Sequence, residues 1–266
     1  MNSKSKSVII SPTNDTRMAH RTRPKRIAAM KQTWRDLLFL HWRVDPDILK
    51  PTLPGGLHLD TFENEAWIGV VPFFMDNIRP SFLPPLPGLS WFLETNLRTY
   101  VYDDHGNSGV WFYSLDANQR IAVTLGKALF RLPYRYEKMN ANYRSSRPDS
   151  ANVTSGGVAE SWIDYQYGGN HFLYRKEMQD ALHIAVPGTL EFFLFERYLL
   201  FAEGKPGIRI GQVYHTPYQL CEAKCDIIKT DLFAKVSIEV PQETPDVMHF
   251  SPGVDVDVFG LTSQQA

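Results

Sequence analysis

The chain has 266 residues, of which 43% are hydrophobic and 13% aromatic, and its formal net charge is -1. This is enough apolar material for one large all-β domain or two smaller ones, and the near-neutral balance gives no reason to expect nucleic acid or an acidic membrane as partner. Two cysteines, Cys221 and Cys225, make no disulfide framework, and no apolar run approaches the ~20 residues of a membrane helix. The run Val8-Ile9-Ile10 is too short for the apolar heart of a signal peptide, so the expectation is a soluble, cytoplasmic protein.

Residues 1–26 carry Lys4, Lys6, Arg17, Arg21, Arg23, Lys25 and Arg26 against the single acid Asp15, and read as a flexible basic tail. Residues 27–266 read as a single domain. Its first strand is 34–44, bulky and of mixed period, as expected of a strand buried on much of both faces. Asp45 caps a short helix with Pro46 at its first position. Segments 57–62 and 66–75, separated by Glu63-Asn64-Glu65, carry a hairpin signature. Four prolines within 77–89 rule out regular structure there, and Phe82, Leu83, Leu86 and Leu89 suggest an ordered loop lying against the body.

The strand 92–102 has polar or amphipathic residues at its even positions, Glu94, Asn96, Arg98 and Tyr100, and mostly apolar ones at Leu93, Leu97 and Val101. Its polar side faces either solvent or a lumen containing a site. The stretch 110–139 is the most crowded with polar groups. It opens as a strand (110–115), turns through Asp116-Ala117-Asn118, and re-enters an apolar run at Ile121-Ala122-Val123. After Gly126 it reads as a short helix stopped by Pro133. Further strands are expected at 141–146, 158–167, 171–175, 225–228, 233–240 and 254–258, and 147–157 reads as turn-rich. A short helix is expected at 190–195 and a hairpin between 197–202 and 208–215. Many strands and few helices give a mainly β fold, closed or nearly closed.

There is no phosphate loop, dinucleotide fingerprint, nucleophile elbow or paired-histidine zinc helix, and Cys221 and Cys225 lack zinc-ligand neighbours. No cofactor or metal is implied. Among the scattered histidines His215 stands out at the end of an apolar strand, with a structural role expected. Without a secretory signal the sequon Asn152-Val153-Thr154 carries no meaning. Asp116, Arg98 and Arg120 read as mainly structural, fixing turns or neighbouring strands.

Trp42-Arg43-Val44-Asp45 with Leu49, Leu53-Pro54 and Leu57 forms one motif, and Phe92-Leu93-Glu94 a second. Leu115-Asp116, Ile121-Ala122-Val123, Gly126-Lys127 and Pro133 form a third. In this order and spacing they resemble the acetoacetate decarboxylase-like superfamily. Glu196-Arg197-Tyr198 and the C-terminal PDVMHFSPGVDVDVF resemble its YqjF-like branch, domain of unknown function 2071. The resemblance spans roughly Lys31 to Leu261. It implies a cone-like antiparallel β-barrel with a few short helices and an enclosed ligand cavity. By position it implies Arg43 as a ligand-binding residue and Glu94 as a catalytic acid or base. The family's Schiff-base lysine follows the proline, where this chain has Tyr134 and Arg135, neither of which offers a neutral amine.

Schiff-base decarboxylation is therefore disfavoured. The candidate site is Glu94 and Tyr134 as catalytic groups with Arg43 and Arg135 binding a small carboxylate or carbonyl ligand. Lys127 is expected in solvent. Two functional readings stay open beside a purely structural one: a cavity protein that binds a small oxo acid, and an enzyme acting on an enolisable carbonyl compound without a Schiff base. By analogy with the superfamily a homo-oligomer is possible through the loop from Arg79 to Leu89.

Overall fold

A computed structural model describes residues 9–144, 161–176, 181–205, 207–240 and 242–263. A short helix, α1 (Asn14–Ala19), precedes the long strand β1 (Met30–Val44). Asp45 then accepts a hydrogen bond from the Asp47 amide at 2.8 Å and caps α2 (Pro46–Leu49), as its sequence predicts. The chain continues through β2 (Leu57–Leu59), β3 (Ala66–Pro80), β4 (Phe92–Asp103) and β5 (Ser108–Ala117) to helix α3 (Arg120–Phe130). Strands β6 (Tyr134–Tyr136), β7 (Met139–Arg144), β8 (Trp162–Tyr167) and β9 (Asn170–Lys176) follow, then α4 (Leu190–Phe195) and the hairpin β10 (Leu199–Glu203) with β11 (Ile208–Tyr214). The last elements are β12 (Cys221–Lys229), α5 (Leu232–Lys235) and β13 (Val247–Ser263).

Seven strands close a ring in the order β1-β3-β4-β5-β10-β11-β13, because β13 pairs back onto β1. From β13 the sheet also extends through β12, β9, β8 and β7. The mainly β class stands, with one correction to its antiparallel character. β10 runs parallel to β5 at Val110 and Trp111, and β6 runs parallel to it at 115–117, so two strands share one edge of β5.

The side-chain alternation of β1 explains the layering. Leu37 and Phe39 point into the ring, where they meet Tyr100, Phe192, Phe195, Val254 and Val256. Leu38, Leu40, Trp42 and Val44 point outward, where β8 and β9 cover them with Tyr165, Phe172 and Tyr174. A strand coated on both sides has no solvated face, which is why its sequence lacks strict polar alternation.

Several expectations are corrected. Glu63 and Asn64 make the expected turn with positive φ, but β2 does not pair with β3. Both edges of β3 are taken by β1 and β4, so β2 lies along β4 instead. The helix begins at Arg120 and runs through Gly126, because Val123, Gly126 and Phe130 form one buried helical stripe. Residues 233–240 are not a strand: Leu232 and Phe233 are buried from α5, and Ser237 adopts φ 56°, outside any strand geometry. In the proline-rich loop Phe82 is 83% exposed, and Leu83 and Leu86 are also exposed, so these side chains do not lie on the body. The turn-rich stretch 147–157, with its sequon, lies outside the described residues.

Part of the segment read as a basic tail is also packed down. The Arg17 Nη2 donates to both carboxylate oxygens of Asp60 at 2.8 Å, and Arg197 Nη1 donates to the same group at 2.6 Å. Arg23 pairs with Asp257. Sequence shows the charge of residues 17–23 but not the buried acid they reach. Removing one partner of a buried ion network leaves the others uncompensated, at about 3–5 kcal/mol. Asp60→Ala is therefore expected to lower the unfolding free energy by that order, measured by urea unfolding, whereas a surface control such as Asp47→Ala should change it little.

Candidate functional site

The polar face of β4 is turned into the ring. Glu94, Asn96, Arg98 and Tyr100 are all buried, and Tyr100 belongs to the interior apolar cluster. The alternation seen in sequence thus marks interior positions and not a wet face.

Glu94 is 3% exposed, and no ion pair reaches it among the described residues. The Tyr134 hydroxyl donates to its Oε2 at 3.0 Å. Burial raises the Glu94 pKa to about 8; the Tyr134 hydrogen bond opposes this and the Asp116 charge reinforces it. Burial and the adjacent Glu94 push the Tyr134 phenol well above its ordinary value. At neutral pH both groups are therefore protonated, with the Glu94 carboxyl buried and the Tyr134 ring partly so.

Helix α3 sets the position of Tyr134. Val123 and Phe130 anchor the helix on the interior cluster, and Gln119 caps its first turn by accepting from the Ile121 amide at 3.1 Å. Gly126 lies between them, where an added Cβ would sit 2.5 Å from Cδ2 and Cε2 of the Tyr134 ring. A helical glycine costs about 1 kcal/mol relative to alanine; here it leaves room for the ring that reaches Glu94. The glycine and the tyrosine after Pro133 are thus one steric unit.

The two arginines of the expected site lie elsewhere. Arg43 is exposed at the end of β1, with its guanidinium 5.6 Å over the Trp67 ring. It pairs in register with Trp67, whereas Glu94 pairs with Phe73 on the same strand. Those six residues of β3 correspond to roughly 20 Å, so Arg43 does not meet Glu94. Arg135 alternates to the opposite side from Tyr134, and its Nε donates to Asp116 Oδ1 at 2.8 Å. Lys127 is exposed, and no lysine is buried among the described residues.

His215 is buried between the rings of Tyr198 and Tyr218, and burial draws its pKa down to about 4. Sequence reasoning missed His41, whose Nε2 lies 2.7 Å from the Tyr100 hydroxyl. The two rings meet across Gly69, which faces His41 on one neighbouring strand and Arg98 on the other. A Cβ at Gly69 would approach His41 Cδ2 to 2.9 Å. Nothing in the local sequence signals that crossing.

Two surface depressions lie away from Glu94. One of about 480 Å³ is lined by Met139, Tyr167, Asn170 and His171, and one of about 400 Å³ by Arg43, Asp45 and Glu65. Neither holds the proton pair.

Two measurements test this geometry. Gly126→Ala should lower the thermal midpoint, against the usual gain for such a change in a helix; a rise would show that Tyr134 is not packed on Gly126. The raised pKa also fixes a sign. Folding gains stability from the Glu94 proton fully below pH 4.5 and loses it as pH climbs to about 8, with a limiting slope of about 1.4 kcal/mol per pH unit. Glu94→Gln should therefore become progressively more stable relative to wild type between pH 5 and pH 8, and parallel stability profiles would contradict a buried neutral carboxyl.

Comparison with known proteins is consistent with this fold. The chain covers 91% of the uncharacterised protein YqjF of Bacillus subtilis, with 34% identity over 233 residues, or 88% of this chain. Among solved structures, acetoacetate decarboxylase from Legionella pneumophila superposes with a TM-score of 0.57 at 11% identity, covering 99% of this chain and 98% of that one. The enduracididine biosynthesis enzyme MppR, complexed with the condensation product of pyruvate and imidazole 4-carboxaldehyde, gives a TM-score of 0.54 at 12% identity, covering 91% and 90%. These likenesses show the acetoacetate decarboxylase-like fold. The profile of the uncharacterised conserved protein family DUF2071 matches residues 31–255, and the chain belongs to that family.

Proposed function

We propose that the interior of the ring binds a small carbonyl compound bearing a carboxylate, and that Glu94 and Tyr134 move a proton on it without a Schiff base. The observation that carries this reading is the buried Glu94 carboxyl, hydrogen-bonded to Tyr134 and with a pKa raised to about 8. A carboxyl tuned near the working pH is suited to both giving and taking a proton. Two further facts support it. The decarboxylase resemblance puts its amine after Pro133, where this chain has Tyr134, and no lysine among the described residues is buried. MppR, which shares the fold, is solved with a pyruvate-derived ligand.

In this chemistry the ionised Glu94 takes a proton from the carbon beside the carbonyl. Tyr134, still protonated, donates to the developing enolate oxygen, and Glu94 returns the proton. A neutral donor in a dry site contributes a few kcal/mol to such a transition state.

The test is exchange of carbon-bound hydrogen for solvent deuterium, followed by NMR on a panel of oxo acids. Exchange is expected to rise with pH to a plateau above about 8, matching the Glu94 ionisation. Glu94→Gln should abolish it. Tyr134→Phe should slow it by roughly 10²-fold and move the midpoint upward, because the lost hydrogen bond had favoured the carboxylate. Binding without exchange would make the protein a carrier of such acids; equal exchange in wild type and Glu94→Gln would remove Glu94 from the chemistry.

A further inference from the structure

With Arg43 exposed and Arg135 paired to Asp116, the ligand carboxylate assumed above has no anchor. A different guanidinium is available. Arg98 is 9% exposed and stands on the same inward face of β4 as Glu94, with Asn96 between them. Its Cζ lies 5.6 Å over the Phe39 ring and 5.8 Å over Tyr100, both part of the interior cluster.

Arg98 lacks a counter-charge. None of the ion pairs among the described residues includes it, and Asp60, the acid at the neighbouring cluster, already serves Arg17 and Arg197. Arg98 Nε is buried with no hydrogen-bond partner, and so is Asn96 Oδ1. The groups around it are neutral, and its guanidinium donates a hydrogen bond to one of them, the Tyr100 hydroxyl. Burial holds His41 well below its ordinary pKa, with Arg98 and His249 adding to the effect, and burial raises the Tyr100 phenol. A buried charge without a partner costs several kcal/mol. A planar guanidinium offers a forked pair of donors suited to a carboxylate.

We propose that Arg98 is the carboxylate-binding residue of the interior, holding the ligand's anionic end while its reactive end points along β4 to Glu94. This rests on the proposed function for the identity of the reactive end. Four residues of strand set the Cα atoms of Arg98 and Glu94 ~13 Å apart, a span that one small ligand bridges only if its two ends are several carbons apart. The favoured ligand is therefore a monocarboxylate with its carbonyl several carbons away, not a three-carbon oxo acid.

Calorimetric titration of the whole protein with 5-oxohexanoate and with pyruvate tests this, in buffer free of other carboxylates and phosphate. Wild type should bind 5-oxohexanoate more tightly than pyruvate. Arg98→Gln should weaken the longer ligand by about tenfold or more, as for loss of a charge-assisted pair, and Arg98→Lys, which keeps the charge without the fork, should weaken it in the same direction. The surface control Asp47→Ala, whose side chain is exposed, should bind as wild type does. Loss of exchange in Glu94→Gln with unchanged affinity in Arg98→Gln would overturn the Arg98 assignment and leave the Glu94 chemistry standing. Arg98-dependent binding without any exchange would do the reverse. No binding of either probe by wild type overturns the assignment.

A second readout needs no ligand. If Arg98 is kept for binding, Arg98→Met should match or exceed wild type in thermal midpoint, since it removes an uncompensated charge. A fall of about 5 °C or more would show that Arg98 holds the fold together, and would overturn the assignment.

Discussion

The structure depends on the exclusion of water from both sides of β4. Its odd positions, among them Leu93 and Leu97, are covered by the outer layer of β8 and β9, and its even positions look into the ring. Every polar group on those even positions must then be satisfied by protein, neutralised or held at a cost. Glu94 meets the constraint by keeping its proton and taking the Tyr134 hydrogen bond. Tyr100 meets it by pairing its hydroxyl with His41 of β1, which burial holds well below its ordinary pKa. Arg98 keeps its charge without an acid beside it.

Two glycines make these arrangements possible, and both act by leaving room. Gly126 lets the Tyr134 ring lie against α3. Gly69 lets His41 cross β3 to Tyr100. Each sits in an element interior, where glycine weakens the element. The sacrificed local stability goes into placing a side chain inside the ring. The Asp60 cluster works differently, tying α1 and the strand-entry residue Arg197 to the wall with charge-assisted hydrogen bonds.

What could be read from sequence follows the range of the interactions. The Asp45 cap, the β10–β11 hairpin and the α4 segment were legible because each is decided by neighbours in the chain. The β4 alternation was legible too, though sequence left open whether its polar face met solvent or an interior. The β2–β3 hairpin failed because the edges of β3 were already occupied, which only the whole sheet decides. The site was legible in part. Glu94 and Tyr134 come from distant segments and are brought together, whereas Arg43, placed by a motif, falls beyond the rim because β1 ends one residue later. Arg98 read as structural because nothing local shows that a strand arginine will lack an acid.

The chain thus carries an acetoacetate decarboxylase-like fold whose interior holds a buried carboxyl group, Glu94, hydrogen-bonded to Tyr134. Direct titration of Glu94 in the folded protein, by isotope-edited infrared or carbon NMR of the side-chain carboxyl with Glu94→Gln as the assignment control, tests this most directly. A midpoint near 8, with the carboxylic acid signal intact at pH 7, is the expected result. A midpoint near the ordinary 4.5 would place Glu94 in contact with water and contradict the desolvated proton pair.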